Sequence, residues 1–210
     1  MIRILAFIIC MLPFTASASV MTFDGIPTSI GIGTPYVEDG ITATPSGSIG
    51  YHGSPDMAHM DDTGTGFPEE ITFSMAGAFD AVSFDYDPHR WAYYFYPQDT
   101  KIEEVLPYVN VALTGERNGS VIATTKFQMN DTDSTFLFSS AFENIDRLTI
   151  ALLKPELLGS ADNGYYDCSY PCSHWNIDNV TLSAVPLPAS LPLFGAALIG
   201  FAALRRFKRR

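Results

Sequence analysis

Apolar side chains in this chain recur at every second position, in short runs separated by turn residues, and no long segment shows the 3.6-residue spacing of a helix. Such alternation sends successive side chains to opposite faces of a pleated strand, so it selects half-buried β-strands. Ile71, Phe73 and Met75 alternate with Thr72 and Ser74, and Val82, Phe84 and Tyr86 with Ser83 and Asp85. Val109, Val111 and Leu113 follow the same rule, and Asn118-Gly119 then supplies a two-residue hairpin turn into Val121–Met129. Phe136 with Phe138, Leu148 with Ile150 and Leu152, and Val180 with Leu182 mark three more strands. Residues 19–70 are Gly- and Thr-rich, with short strand candidates near Thr22-Phe23 and Ile41–Thr44. Seven strands with one apolar face each predict an all-β protein, an antiparallel β-sandwich of two packed sheets.

Charge divides the chain into a body and two ends. All 23 acids lie between residues 19 and 184, together with only 6 of the 12 Lys and Arg, a net charge of −17. A body this acidic repels phosphate backbones and excludes a nucleic-acid partner. At the N-terminus Arg3 precedes the apolar run Ile4–Leu12, Pro13 and the small-residue site Ala16-Ser17-Ala18. This predicts a signal peptide over residues 1–18, cleaved by signal peptidase, its apolar run too short to stay as a span. The residue before Cys10 is Ile9, where lipidation requires a small side chain, which argues against a lipoprotein. At the other end, residues 189–204 are uncharged and Arg205, Arg206, Lys208, Arg209 and Arg210 follow. The expectation is a transmembrane helix over about 189–204, extended by the apolar residues from Val185, with its basic end in the cytoplasm and the body outside.

Val185-Pro186-Leu187-Pro188-Ala189, the apolar stretch and the basic terminus resemble the VPLPA type of the PEP-CTERM sorting signals of Gram-negative bacteria. The resemblance covers residues 185–210 and implies recognition by an exosortase, cleavage near the motif, and passage through transient anchoring in the inner membrane to the cell surface or extracellular matrix. Val185, Pro186, Leu187, Pro188, Ala189, Arg205 and Arg206 are then substrate of the sorting enzyme and carry no catalysis.

The body, residues 19–184, more loosely resembles the galactose-binding-like or jelly-roll sandwiches. The matching features are Phe23-Asp24, Phe79-Asp80-Ala81-Val82-Ser83-Phe84, Leu113-Thr114-Gly115 and Ile177-Asp178-Asn179-Val180. That resemblance implies a carbohydrate-associated role, with exopolysaccharide as the partner. It also implies a structural calcium ion near the joined chain ends, with Asp24 and Asp178 as its hard oxygen ligands.

If successive strands run antiparallel, tight links fall at one end of the sandwich and long loops at the other. Residues 50–70, 88–104, 130–134 and 155–175 then share an end that gathers His52, His59, His89, His174, Trp91 and Trp175. Trp91, Tyr93 and Phe95 in one loop, and Tyr165, Tyr166 and Trp175 in another, are candidates for stacking on sugar rings, since aromatic rings join flat apolar area to a polar edge. The alternative is an aromatic edge strand packed on its own sandwich. Cys168 and Cys172 are the two cysteines left after signal removal and are expected to form a disulfide in an oxidising compartment. With His174 they supply three zinc ligands and lack a fourth at the usual spacing. The stretch from His52 to Asp62 reads as a polar loop or, less simply, as divalent-metal ligands in no fixed register. No nucleophile elbow, His-Glu-x-x-His helix or phosphate loop is present, so the chain reads as non-enzymatic. The alternatives are an inert matrix component, or a polysaccharide hydrolase or lyase with a carboxylate pair drawn from acids such as Glu69-Glu70 or Glu103-Glu104.

Overall fold

The structure, a computed structural model, describes residues 17–26, 33–46, 49–54, 57–62, 69–89, 91–95, 101–105, 109–129, 134–153 and 174–186. Fourteen strands run through them. They are β1 (Ala18–Met21), β2 (Tyr36–Glu38), β3 (Ile41–Ser46), β4 (Ile49–Ser54), β5 (Met57–Asp62), β6 (Glu69–Ser74) and β7 (Phe79–His89). The second half adds β8 (Trp91–Phe95), β9 (Lys101–Val105), β10 (Val109–Arg117), β11 (Ser120–Met129), β12 (Ser134–Leu137), β13 (Arg147–Leu152) and β14 (His174–Ala184). Sheet A has the order β12-β7-β14-β5-β4, with β1 also on β14; sheet B has the order β11-β10-β13-β6-β3-β2. β8 and β9 form a separate two-stranded ribbon. Every pairing is antiparallel. The molecule is the all-β antiparallel sandwich that the alternation requires.

The core lies between the two sheets because each contributes one apolar face. Phe84, Trp175, Ile177, Val180 and Leu182 of sheet A, and Ile71, Phe73, Val111, Leu113, Leu148 and Ile150 of sheet B, are buried in one cluster. Where β12 and β11 approach, Phe84 packs with Phe136 (5.3 Å between centroids), Phe138 (5.7 Å) and Phe127 (6.1 Å). Next to this group, where Phe142 packs on Phe138 at 5.1 Å, Gly115 of β10 makes a close approach. A Cβ there would lie 3.1 Å from both Ile145 Cγ2 and Phe142 Cδ1.

Three expectations are corrected. Seven strands were too few, because the N-terminal third supplies β1 to β5. The two-residue turn Asp39-Gly40, with φ of 46° and 77°, closes β2 onto β3 by the same left-handed geometry that Asn118-Gly119 provides at 50° and 74°. Second, stretches 50–70 and 88–104 are not simple loops, since they carry the β4–β5 hairpin and the β8–β9 ribbon. Third, Val82 is exposed while Ala81 and Phe84 are buried. The ladder between β7 and β14 shifts register between Asp178 and Leu182, and this irregularity moves the inward set by one position.

Candidate functional site

Two features of the body offer polar or aromatic chemistry outside the core. One is the outer face of sheet A. On β14, Trp175 and Ile177 point to the core, so the residues between them belong to the opposite face. There Asn176 is nearly buried and bridges two strands: its Nδ2 donates to Asp87 Oδ2 at 2.9 Å, and its Oδ1 meets His59 Nδ1 at 2.5 Å. Since an amide oxygen carries no hydrogen, His59 Nδ1 is the donor. One step along the strand Asp178 accepts from the Asn179 backbone N–H at 2.7 Å, and Asn179 Nδ2 donates to Asp85 Oδ2 at 2.9 Å. Asn179 adopts a φ of 47°, which turns its amide toward both carboxylates at the irregularity in β14.

Burial raises the Asp178 carboxyl to about 6, the Asn179 N–H opposes this, and the charges of Asp24, Asp85 and Glu38 add to the rise. The folded value thus lies above the ordinary 3.8, so the folded chain holds this proton more tightly than the unfolded one. Stability therefore falls as pH rises through the window from about 4 to about 6, and the deficit persists above it. Asp178→Asn is expected to flatten that slope and to stabilise the protein at pH 7 by about 1 kcal/mol, after discounting for solvent screening of a half-exposed group. Urea titrations at pH 4.5 and 7 compare the two proteins; a steeper pH dependence in the variant would contradict this assignment.

The structure therefore brings Asp24 and Asp178, the pair expected to bind calcium, within electrostatic reach of each other. Among the described residues, however, no group of three or more His, Cys, Asp or Glu side chains is arranged to hold a metal ion.

The second feature is the ribbon. Trp91, Tyr93 and Phe95 take alternate positions of β8, in register with Val105, Glu103 and Lys101 of β9. These strands form a two-stranded sheet separate from sheets A and B.

Trp175 departs from its expected role. It is 1% exposed, and its Nε1 has no hydrogen-bond partner among the described residues. A ring enclosed in the core cannot stack on a sugar, so Trp175 is a core residue and not a binding platform. Tyr165, Tyr166, Cys168 and Cys172 lie outside the described residues, so the expected disulfide does too. Val185 and Pro186 follow β14 directly, while Leu187, Pro188, Ala189, Arg205 and Arg206 also lie outside. Among the described residues no helix is long and apolar enough to cross a membrane.

The C-terminal segment decides the question of destination. Residues 184–209 match the PEP-CTERM protein-sorting motif. The motif implies processing by an exosortase and export, by membrane-anchored sorting, to the cell surface. No curated protein matches the chain. Among solved structures, the chain is similar to a carbohydrate binding module of family 29, at 11% identity and a TM-score of 0.45, over 81% of this chain and 90% of that one. It is similar to the same degree, 0.45 at 12% identity, to a DUF4465 family protein from Bacteroides caccae ATCC 43185, over 81% of this chain and all of that one.

Sequence reasoning missed the polar relay Asp87–Asn176–His59, whose members are far apart in the chain. Period-2 parity within each strand was the available signal, but it needs the strand register that only the fold supplies.

Proposed function

We propose that this is a non-enzymatic surface or extracellular-matrix protein, delivered through its C-terminal tail, whose body binds exopolysaccharide on the aromatic side of the β8–β9 ribbon. The observation that supports this most is the ribbon itself. Trp91, Tyr93 and Phe95 take every second position of a five-residue strand, about 7 Å apart along it, roughly twice the rise per residue. Flat aromatic area at that spacing suits successive rings of an extended glycan, and Glu103 and Lys101 beside it supply an acceptor and a donor for hydroxyls. The tail would place this surface among extracellular polymers.

In this reading the signal peptide (residues 1–18), the body (19–184) and the tail with its transmembrane helix (185–210) are cleaved or retained in turn, and a Cys168–Cys172 disulfide forms after export. A calcium ion shared by Asp24 and Asp178 belongs to the same proposal; burial is the main cause that raises the Asp178 carboxyl, and the nearby charge of Asp24 adds to it.

The test is affinity electrophoresis of the protein through gels containing the exopolysaccharide of the producing cell. Retardation is expected, and Trp91→Ala should weaken it at least tenfold, about 1.4 kcal/mol. Equal migration with and without polymer, or retardation unchanged in Trp91→Ala, would overturn the binding role.

A further inference from the structure

On one side of the body the two sheets end in β11 and β12, and each of these strands is paired on one flank, β11 with β10 and β12 with β7. Among the described residues no strand lies on the other flank of β11, so its outer backbone N–H and C=O groups form a row open to pairing. Phe127 of β11 and Phe136 of β12 meet across the seam between the sheets, 4.5 Å between centroids, and both are partly buried, as is Phe138. Six large apolar side chains are exposed among the described residues, and four of them lie along this side. They are Val121 and Ile122 on β11, Leu137 on β12, and Val82 on β7, whose carbonyl accepts from the Phe138 N–H. Proteins commonly blunt such an edge with proline, charge or a short strand. β11 is ten residues long, has no proline and carries a single charge, Lys126. β12 is uncharged.

We propose that β11 is a dimerisation edge, at which a second copy of this chain adds its own β11 antiparallel and extends sheet B across both molecules. Charge points to a second copy as the occupant. Two bodies of net −17 repel each other from most directions of approach. The other edge of sheet B, β2, carries Glu38 and turns at Asp39, whereas β11 and β12 together bring one cation and no acid. Lys126 of each copy meets the negative field of the other, so a charge that guards an edge in a neutral protein draws two copies together here.

The alternation along β11 restricts the register. Ala123, Phe127 and Met129 are buried or partly buried, while Thr124, Lys126 and Gln128 are exposed. Directly paired residues of antiparallel strands share a face, so the two-fold axis passes through a residue and not between two. Placed at Thr125, it pairs residues 121–129 of the two strands along nearly the whole of β11. Phe127 then lies against Ala123 of the second copy, a large ring beside a small side chain, and Lys126 lies against Thr124. The contact uses the same surface on both copies, so it closes at two chains and does not grow into a fibre. Even with Leu137 and Phe138 alongside, it involves fewer than the roughly 20–30 residues a side of a standard stable interface. The pair is therefore weak and forms at micromolar concentrations. This proposal is independent of glycan binding at the ribbon and survives its failure.

The test is sedimentation of the full chain in a mild non-ionic detergent, from about 1 to about 200 µM. A monomer–dimer equilibrium with a dissociation constant in the tens of micromolar is expected. Ile122→Glu, at a position 51% exposed, should weaken it at least tenfold. Val37→Glu, on the opposite edge β2 and 64% exposed, should leave it unchanged. Both substitutions fall on the surface, and circular dichroism reports whether each variant is folded. Raising the salt concentration should tighten the wild-type pair several-fold, because it screens −17 against −17. A second readout needs no variant: backbone amides of β11 should exchange with deuterium several-fold more slowly at high than at low protein concentration, while those of β2 do not change. A monomer at every concentration, equal weakening by Val37→Glu and Ile122→Glu, or assemblies growing beyond two copies would each overturn the proposal.

Discussion

Phe84→Ala is expected to lower the unfolding free energy by about 4 kcal/mol, the largest effect of any single substitution considered for this body. Phe84 has no exposed surface, and it lies at the centre of a group with Tyr86, Phe127, Phe136 and Phe138. Truncation removes the transfer free energy of a benzyl group and leaves a cavity. It also removes several ring contacts at once, among them the stacked pair with Phe136 at 5.3 Å. The neighbours have limited freedom to close the gap. Phe127 is fixed on β11 of sheet B, Phe136 on β12 of sheet A, and Phe138 is held by its backbone N–H to Val82 O at 3.0 Å. Total stabilities of such domains run to about 5–15 kcal/mol, so the variant should be close to unfolding at 37 °C. Leu137, between two of these rings but 73% exposed, is the control, and Leu137→Ala should change stability by less than about 0.5 kcal/mol. Urea denaturation with an unchanged m-value measures both. A cost under about 1.5 kcal/mol for Phe84→Ala would show that the two sheets are not joined through this cluster.

Truncation after Ala184 is expected to abolish surface delivery altogether while leaving the body folded. β14 ends at Ala184, and the sorting motif occupies residues 184–209, so the cut removes the motif and spares the last strand. Fractionation of the producing cell should find the truncated chain released in soluble form, with the same urea midpoint as the body of the full protein. A milder change separates recognition from anchoring. Arg205→Glu with Arg206→Glu reverses charge at the basic end, which in the proposed topology stays on the cytoplasmic side. It should leave the Val185–Ala189 motif intact yet reduce mature surface protein several-fold. Normal surface levels in the truncated chain would refute sorting through this tail.

The sandwich was legible in the sequence because β10, β11 and β13 repeat a two-residue rule. β10, β11 and β13 follow from Val111, Leu113, Leu148 and Ile150 and the Asn118-Gly119 turn, with no knowledge of partners. The N-terminal strands were harder for a physical reason. β4 carries Gly50 and Gly53 and β5 carries His59 and Asp61, so neither shows a clear apolar alternation, and only pairing, of β5 with β14 and of β4 with β5, makes them strands. Asp39-Gly40 was a turn signal as strong as Asn118-Gly119 and would have added β2 to the strand already expected at Ile41–Thr44, which is β3. Trp175 illustrates the opposite difficulty. Placed in a loop with Tyr165 and Tyr166 it looks like a sugar platform, whereas two residues before Ile177 on one strand it belongs to the core. The sorting motif was readable because its order of parts is local, whereas the Asp87–Asn176–His59 relay depends on strand register.

The pairing of β1 with β14 has a mechanical consequence. Ala18 lies beside Ser183, so the polypeptide enters and leaves the sandwich at the same corner. A tension applied at the C-terminal end of the body loads β14, an eleven-residue central strand gripped on one side by β7 and on the other by β5 and β1 in succession. Pulled lengthwise, such a strand must break its cross-links in concert; pulled sideways, it would unzip them one by one. Fluid drag on a cell-surface protein held this way is therefore borne by the part of the fold best able to resist shear.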